Sequence, residues 1–143
     1  MRNVKGYQVF NGTHGELWID GDYMAEIQKF KAEVELKKDE FQFVKHYNTD
    51  FKVVGYSCKG SIEMKKTSSY FLNKMSDNMR KGKTTVCQIV ASISDPDTVG
   101  SERIVIKDAV FDKLTLMDFE AGKSLDESYD FTFTDWEVLD SAL

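Results

Sequence analysis

Residues 15–38 read GELWIDGDYMAEIQKFKAEVELKK, and the second half sets composition against pattern. Lys, Glu, Ala and Leu are strong helix formers, yet the apolar residues recur at every second position. From Phe30 a strand requires apolar side chains at 30, 32, 34 and 36, and Phe30, Ala32, Val34 and Leu36 supply all four. A helix from the same start requires them at 33, 34 and 37, and only Val34 fits. Propensity favours the helix by a few tenths of a kcal/mol per residue, but burying a large apolar side chain is worth about 1.5–3 kcal/mol. Alternation decides which face can be buried, so the segment is predicted to be a strand. Lys31, Glu33, Glu35 and Lys37 form its charged face. The alternation slips by one between Ile27 and Phe30, which places a bulge near Gln28 and Lys29.

The rest of the chain follows the same period. Leu17 and Ile19, a turn at Gly21-Asp22, then Met24 and Ile27 predict a hairpin. Phe51 to Lys66 reads as a long strand with Gly55 and Gly60 as bulge positions. Thr84 to Ile93 is a strand, and Arg103 to Glu120 a long strand or hairpin with a bulge or turn at Asp112-Lys113. In Tyr129 to Val138, Phe131 and Phe133 share one face and Trp136 and Val138 the other, so this strand should exchange one packing partner for another. One helix is expected over 67–81, capped by Thr67 or Ser68, with the apolar stripe Phe71, Leu72, Met75 and Met79. Gly82 should terminate it. The expected fold is therefore mostly β, an antiparallel sandwich or barrel with one flanking helix laid across the sheet.

At 143 residues, with 41% hydrophobic and 13% aromatic content, the chain suits a single domain. Its apolar runs fall far short of the roughly 20 residues of a membrane helix, and residues 1–12 lack the apolar core of a signal peptide. A soluble protein that stays in the cell is expected, without membrane binding by the folded subunit. Cys58 and Cys87 lie inside strand patterns, as buried thiols do. His14 and His46 have no partner at metal-ligand or catalytic spacing, and phosphate loops, nucleophile elbows and Cys-x-x-Cys pairs are missing from the sequence. No enzyme activity, metal or cofactor is expected.

The net charge of −5 disfavours a generic nucleic-acid binder. Its distribution is uneven. Between Lys52 and Lys83 lie eight basic residues against Glu63 and Asp77; between Asp112 and Asp140 lie nine acidic residues against Lys113 and Lys123. Two solvated faces would account for this, and so would a head-to-tail contact in which the basic side of one subunit, Lys65 and Lys66 included, meets the acidic side of the next. Residues 38–50, KDEFQFVKHYNTD, with Phe41, Phe43, His46 and Tyr47 among charges, follow neither period and are expected to form a long extended loop. Long ordered loops tend to carry function.

Several stretches in order, LWIDG (17–21), TSSYFLNKM (67–75), Ser101 to Arg103 with Phe111-Asp112, and FTF (131–133) with Asp135, resemble the tail tube proteins of contractile-tailed bacteriophages. The likeness spans about residues 11–140. It implies six copies closing into a ring around a continuous β-barrel wall, and rings stacking into a tube inside a sheath. Such a tube serves as a conduit for DNA or as a puncturing needle, with sheath, tape-measure, baseplate and tail-terminator proteins as partners. It is assembled in the host bacterial cytoplasm and resides in the virion tail. The resemblance further assigns contacts between subunits and rings to the arm at 1–14 and the loop at 38–50. Lys31, Glu33, Glu35 and Lys37 would then line the channel or meet the next subunit. Two rivals share the pattern: a monomeric small-ligand-binding β-barrel, and a type VI secretion tube protein.

Overall fold

The computed structural model describes residues 4–98 and 100–142. Eight antiparallel strands and one helix are arranged as β1 (Gly15–Ile19), β2 (Asp22–Tyr23), β3 (Ile27–Phe41), β4 (Asp50–Lys65), α1 (Tyr70–Arg80), β5 (Cys87–Ile93), β6 (Glu102–Phe111), β7 (Asp126–Phe133) and β8 (Asp135–Asp140). The hydrogen-bonded order is β2-β1-β5-β6-β7-β4-β3, with β8 also on β6. Two short 3-10 turns, Gly6–Gln8 and Gly12–His14, precede β1.

The sheet folds over on itself at β6. Its first part pairs with β5 and β8, and its last two residues, Val110 and Phe111, pair with β7. Asp108 sits at the corner with φ 56°, a left-handed conformation that kinks the strand. The β7–β8 chain turns at the same corner. Thr134 hydroxyl donates to Asp108 Oδ2 (3.2 Å) and Thr134 N to Lys107 O (3.4 Å), after which the chain moves from β4 and β6 to the other side of β6. This is the exchange of partners that the change of face between Phe133 and Trp136 predicted. Between the two layers lie Leu17, Ile19, Ile62, Ile89, Ile106, Phe111, Tyr129 and Phe131, all buried.

α1 closes one end of this core. Phe71 packs its ring against Tyr129 (4.4 Å) and Phe111 (5.1 Å). Met75 is buried beside it, while Met79, expected on the same stripe, is half exposed in the last turn. The N-cap is Ser69 rather than Thr67 or Ser68, and its hydroxyl makes no capping bond. The first turn is held instead by Tyr70, whose hydroxyl bonds Ile19 O (3.1 Å) and Asp22 Oδ2 (3.0 Å). Gly82 ends the helix as predicted, at φ +71°. Its N–H reaches Met79 O and the Lys83 N–H reaches Asn78 O, the paired bonds of a Schellman cap.

The β1–β2 turn falls on Asp20-Gly21, one residue before the expected pair. Both have positive φ (49° and 86°), as a type I′ turn requires. Gly55 and Gly60 play different parts. A register shift beside Gly55 leaves Val54 unpaired, so the expected bulge is there. Gly60 is in regular register, opposite Ala32 and Phe131, and a Cβ at this position would collide with the Lys31 carbonyl and the Phe131 ring. The glycine makes room for that ring, which stacks on Phe30 at 6.0 Å. After Phe111 the expected long strand or hairpin ends, and residues 113–125 carry no regular pairing.

Candidate assembly surface

β3 and β4 form a ribbon longer than the body that supports it. Lys29 to Phe41 pairs with Glu63 to Asp50, with the predicted bulge between Ile27 and Lys29. β7 covers the other side of β4 only from Cys58 to Lys65. The remainder, to the tip, is a two-stranded projection with both edges unpaired among the described residues. The extended loop expected at 38–50 is accordingly confined to 42–49, because the ladder continues through Lys38–Val53, Asp39–Lys52 and Glu40–Phe51.

The two faces of the ribbon differ in chemistry. One carries Phe30 opposite Ile62, Ala32 opposite Gly60, Val34 opposite Cys58 and Leu36 opposite Tyr56. Near the body this face is covered, and Phe30 and Val34 pack against the core. Beyond Cys58 it is not. Leu36 is 52% exposed, and Tyr56, Val53 and Phe51 are half exposed or more, with only Trp136 against Tyr56 (5.6 Å) and Lys38 Nζ over the Phe51 ring (6.0 Å); Ala32, on the body side opposite Gly60, is exposed as well. The alternation was right about the side and the subunit supplies only part of the cover.

The other face carries Lys31, Glu33, Glu35 and Lys37 on β3, all exposed, with Lys59 between them from β4. Lys59 Nζ lies 3.2 Å from Glu35 and 3.8 Å from Glu33, and Lys31 Nζ lies 3.4 Å from Glu33. Glu35, then Glu33, hold the Lys59 ammonium above its usual range. Cross-strand pairing thus neutralises much of this face from within. A groove of about 420 Å3 runs along it past Gly60 to Asp130 and Thr132.

Phe41, Phe43, His46 and Tyr47 gather at the tip. Phe43 stacks against Phe41 and meets His46 edge-on, each at 6.5 Å, and Tyr47 is fully exposed. Gln42 binds His46 O and accepts from the Thr49 hydroxyl (3.1 Å), which orders the turn around Lys45 at φ 68°. Lys65 and Lys66 are at the far end of β4 and have partners in their own chain. Lys65 pairs with Asp126 (2.5 Å) and Lys66 with the buried Glu127 (3.1 Å), so part of the basic middle meets the acidic end within one subunit. Burial and Glu127 push the Tyr129 phenol beside this pair up to about 12.

Sequence reasoning passed over two apolar surfaces, the outer half of the ribbon's apolar face and the exposed trio Leu116, Met117 and Phe119. For the ribbon, the signal was present in the alternation of Phe51 and Val53 with Lys52. The arm at 1–14 lies partly outside the described residues. Its last residues are tied to the body, with Asn11 N donating to Asp95 Oδ2 (3.1 Å) and Ser94 N to His14 O, whereas Val4, Tyr7 and Val9 are about two-thirds exposed. A larger groove, about 660 Å3, opens between Leu17, Ala91 and Ile104 on one layer and Ile27 and Phe30 on the other.

A family model described as phage tail tube protein matches residues 2–140. The chain is 31% identical over 138 residues to the phage-like element PBSX protein XkdM of Bacillus subtilis (strain 168), covering 94% of this chain and 93% of that one. In fold it is similar to a chain of the sheath-tube complex of the extracellular contractile injection system PVC in its extended state (TM-score 0.73, 8% identity, 94% and 93% coverage). It is likewise similar to a chain of the anti-feeding prophage tube-terminating cap (TM-score 0.70, 7% identity, 98% and 97% coverage). With a family model covering nearly its whole length and a relative of this identity, the chain belongs to the phage tail tube protein family, whose members are structural subunits of a tail tube.

Proposed function

We propose that the chain closes into homo-hexameric rings that stack as the inner tube of a contractile phage tail or tail-like particle. The observation that carries this reading is the two-faced ribbon. Leu36, Tyr56, Val53 and Phe51 form an apolar surface only partly covered in the subunit, bordered by a β3 edge that is unpaired among the described residues. Exposed edges and apolar faces of this length favour association, and pairing with the next copy around a ring removes both. With the apolar face turned to a neighbour, the opposite face, Lys31, Glu33, Glu35 and Lys37, lines the channel. Its internally paired charges present little net attraction to phosphate, which suits DNA in passage.

The role is mechanical rather than catalytic. The partners that follow are sheath, tape-measure, baseplate and terminator proteins, with assembly in the host bacterial cytoplasm before the subunit is built into the tail. The rival reading as a monomeric ligand-binding barrel is disfavoured because the larger groove is open to solvent. Electron microscopy and light scattering of the purified chain across a concentration series test the proposal. Rings or tubes about 80–100 Å across, the size expected of six such domains, support it. A monomer at every concentration that retains a small molecule defeats it.

A further inference from the structure

The inner face of the β1–β5–β6 layer runs further than its cover. The cross-strand row Ile19, Ile89 and Ile106 is fully buried. In the next row Leu17 is buried, but Ala91 and Ile104 are only half-buried, and the row beyond passes from Gly15 through Ile93 to Glu102, an exposed carboxylate on a core-facing row. These two rows make one wall of the groove of about 660 Å3, with Ile27 and Phe30 opposite. The segment that starts at its rim lacks cover too. Gly12 and Thr13 line the groove, and the chain there is pinned to the body, with Asn11 N donating to buried Asp95 and Thr13 N to Asn11 Oδ1 (3.0 Å). Ahead of Asn11, the hydrogen bonds of residues 4–10 stay within Lys5–Val9 among the described residues, and Val4, Tyr7 and Val9 are about two-thirds exposed.

We infer that residues 4–10 are a strap that turns at Phe10 and, in the unassembled subunit, closes over its own groove, laying its apolar side chains against Ala91, Ile104 and Phe30. Reach permits it: seven residues span up to about 25 Å, and the wall from β1 to β6 is about 10 Å across. Charge favours it. Residues 1–10 contain Arg2 and Lys5 and no carboxylate, whereas the groove carries Glu16 and Glu102 against one base, Lys29. Neither glutamate has an ion-pair partner among the described residues. The tether selects the occupant. A segment rooted at the rim acts at an effective concentration of about millimolar, so in dilute solution the chain's own strap outcompetes that of a second copy. The closure shields apolar surface continuous with the core, and it belongs to the isolated subunit whether or not the chain forms tubes.

The test is made on the full chain, diluted until it is monomeric. V4C and A91C are introduced together and a short bismaleimide is added; native Cys58 and Cys87 are buried and give little background. The expected product is a monomer whose residue 4 and residue 91 peptides are joined in the mass spectrum, with neither single variant giving it. Linked dimers without the internally linked monomer mean that another copy's arm occupies the groove, and overturn the inference. So does the lack of any link while both thiols react with a monofunctional maleimide. Chymotryptic cleavage after Tyr7 is the second reading. E16Q with E102Q should speed it several-fold at low salt without moving the thermal midpoint, because the glutamates are exposed and act only on the strap. Equal cleavage rates in the two chains also overturn it.

Discussion

Replacing Gly60 by Ala tests the packing logic of the ribbon where it enters the body. The added Cβ meets the Lys31 carbonyl, which belongs to the β3–β4 ladder, and the Phe131 ring, which is 1% exposed and packed against Phe30, Phe111 and Phe133. Neither can move freely. Overpacking of this kind costs about 1–3 kcal/mol, offset by at most about 1 kcal/mol from the reduced freedom of the unfolded chain. A net loss of about 1–2 kcal/mol follows. For 143 residues the unfolding entropy is about 0.3 kcal/mol/K, so the thermal midpoint should fall by about 3–7 °C. Gly55→Ala is the control on the same strand, because a Cβ there meets nothing nearer than Lys37 Cδ at 4.0 Å, and its midpoint should stay level or rise slightly. Both are measured by circular dichroism at a dilution where the protein is monomeric, since assembly raises apparent stability. Equal midpoints for the two variants would refute the assignment of Gly60 to the Phe131 contact.

Gly82→Ala forces an alanine into the left-handed residue that ends α1, and chemical denaturation should show a loss of about 1 kcal/mol. Lys66→Glu places a second negative charge beside buried Glu127 and should lower monomer stability clearly, whereas Lys65→Glu, whose pair with Asp126 is exposed, should cost less than about 1 kcal/mol; equal losses in thermal melts would speak against the burial difference. Burial disfavours ionisation of Asp20, but the Gln88 N–H and Lys74 outweigh it and hold the carboxyl below its usual range. A depressed carboxylate gives stability that is full above the unfolded pKa, near 4, and lost as pH falls through the lower folded value. Asp20→Asn, which keeps the turn, should therefore flatten the loss of stability below pH 4 in acid titrations followed by fluorescence.

Much of this was legible in the sequence because sheets announce themselves by period. The strand at Phe30 to Leu36, its bulge at Gln28, the Gly82 cap and the exchange of partners after Phe133 all follow from which side chains can share a face. Gly60 was legible only as a break in the pattern. Its cause, the Phe131 ring, comes from a strand that is about seventy residues away in the chain and adjacent only after folding. Charge was only partly legible for a related reason. The basic middle and acidic end left two readings open, solvated faces or a contact between subunits, and only the β4–β7 register shows that Lys65 and Lys66 also meet Asp126 and Glu127 in their own chain. The alternation in β3 and β4 marks an apolar face but cannot say whether the same chain or another copy covers it.

That last point is open to direct measurement by cryo-electron microscopy of the purified, assembled chain. The account predicts stacked rings in which Leu36 and Tyr56 are covered by a neighbouring subunit and Lys31, Glu33, Glu35 and Lys37 face the lumen. A monomer at all concentrations, or a tube with that charged face turned outward, would contradict it.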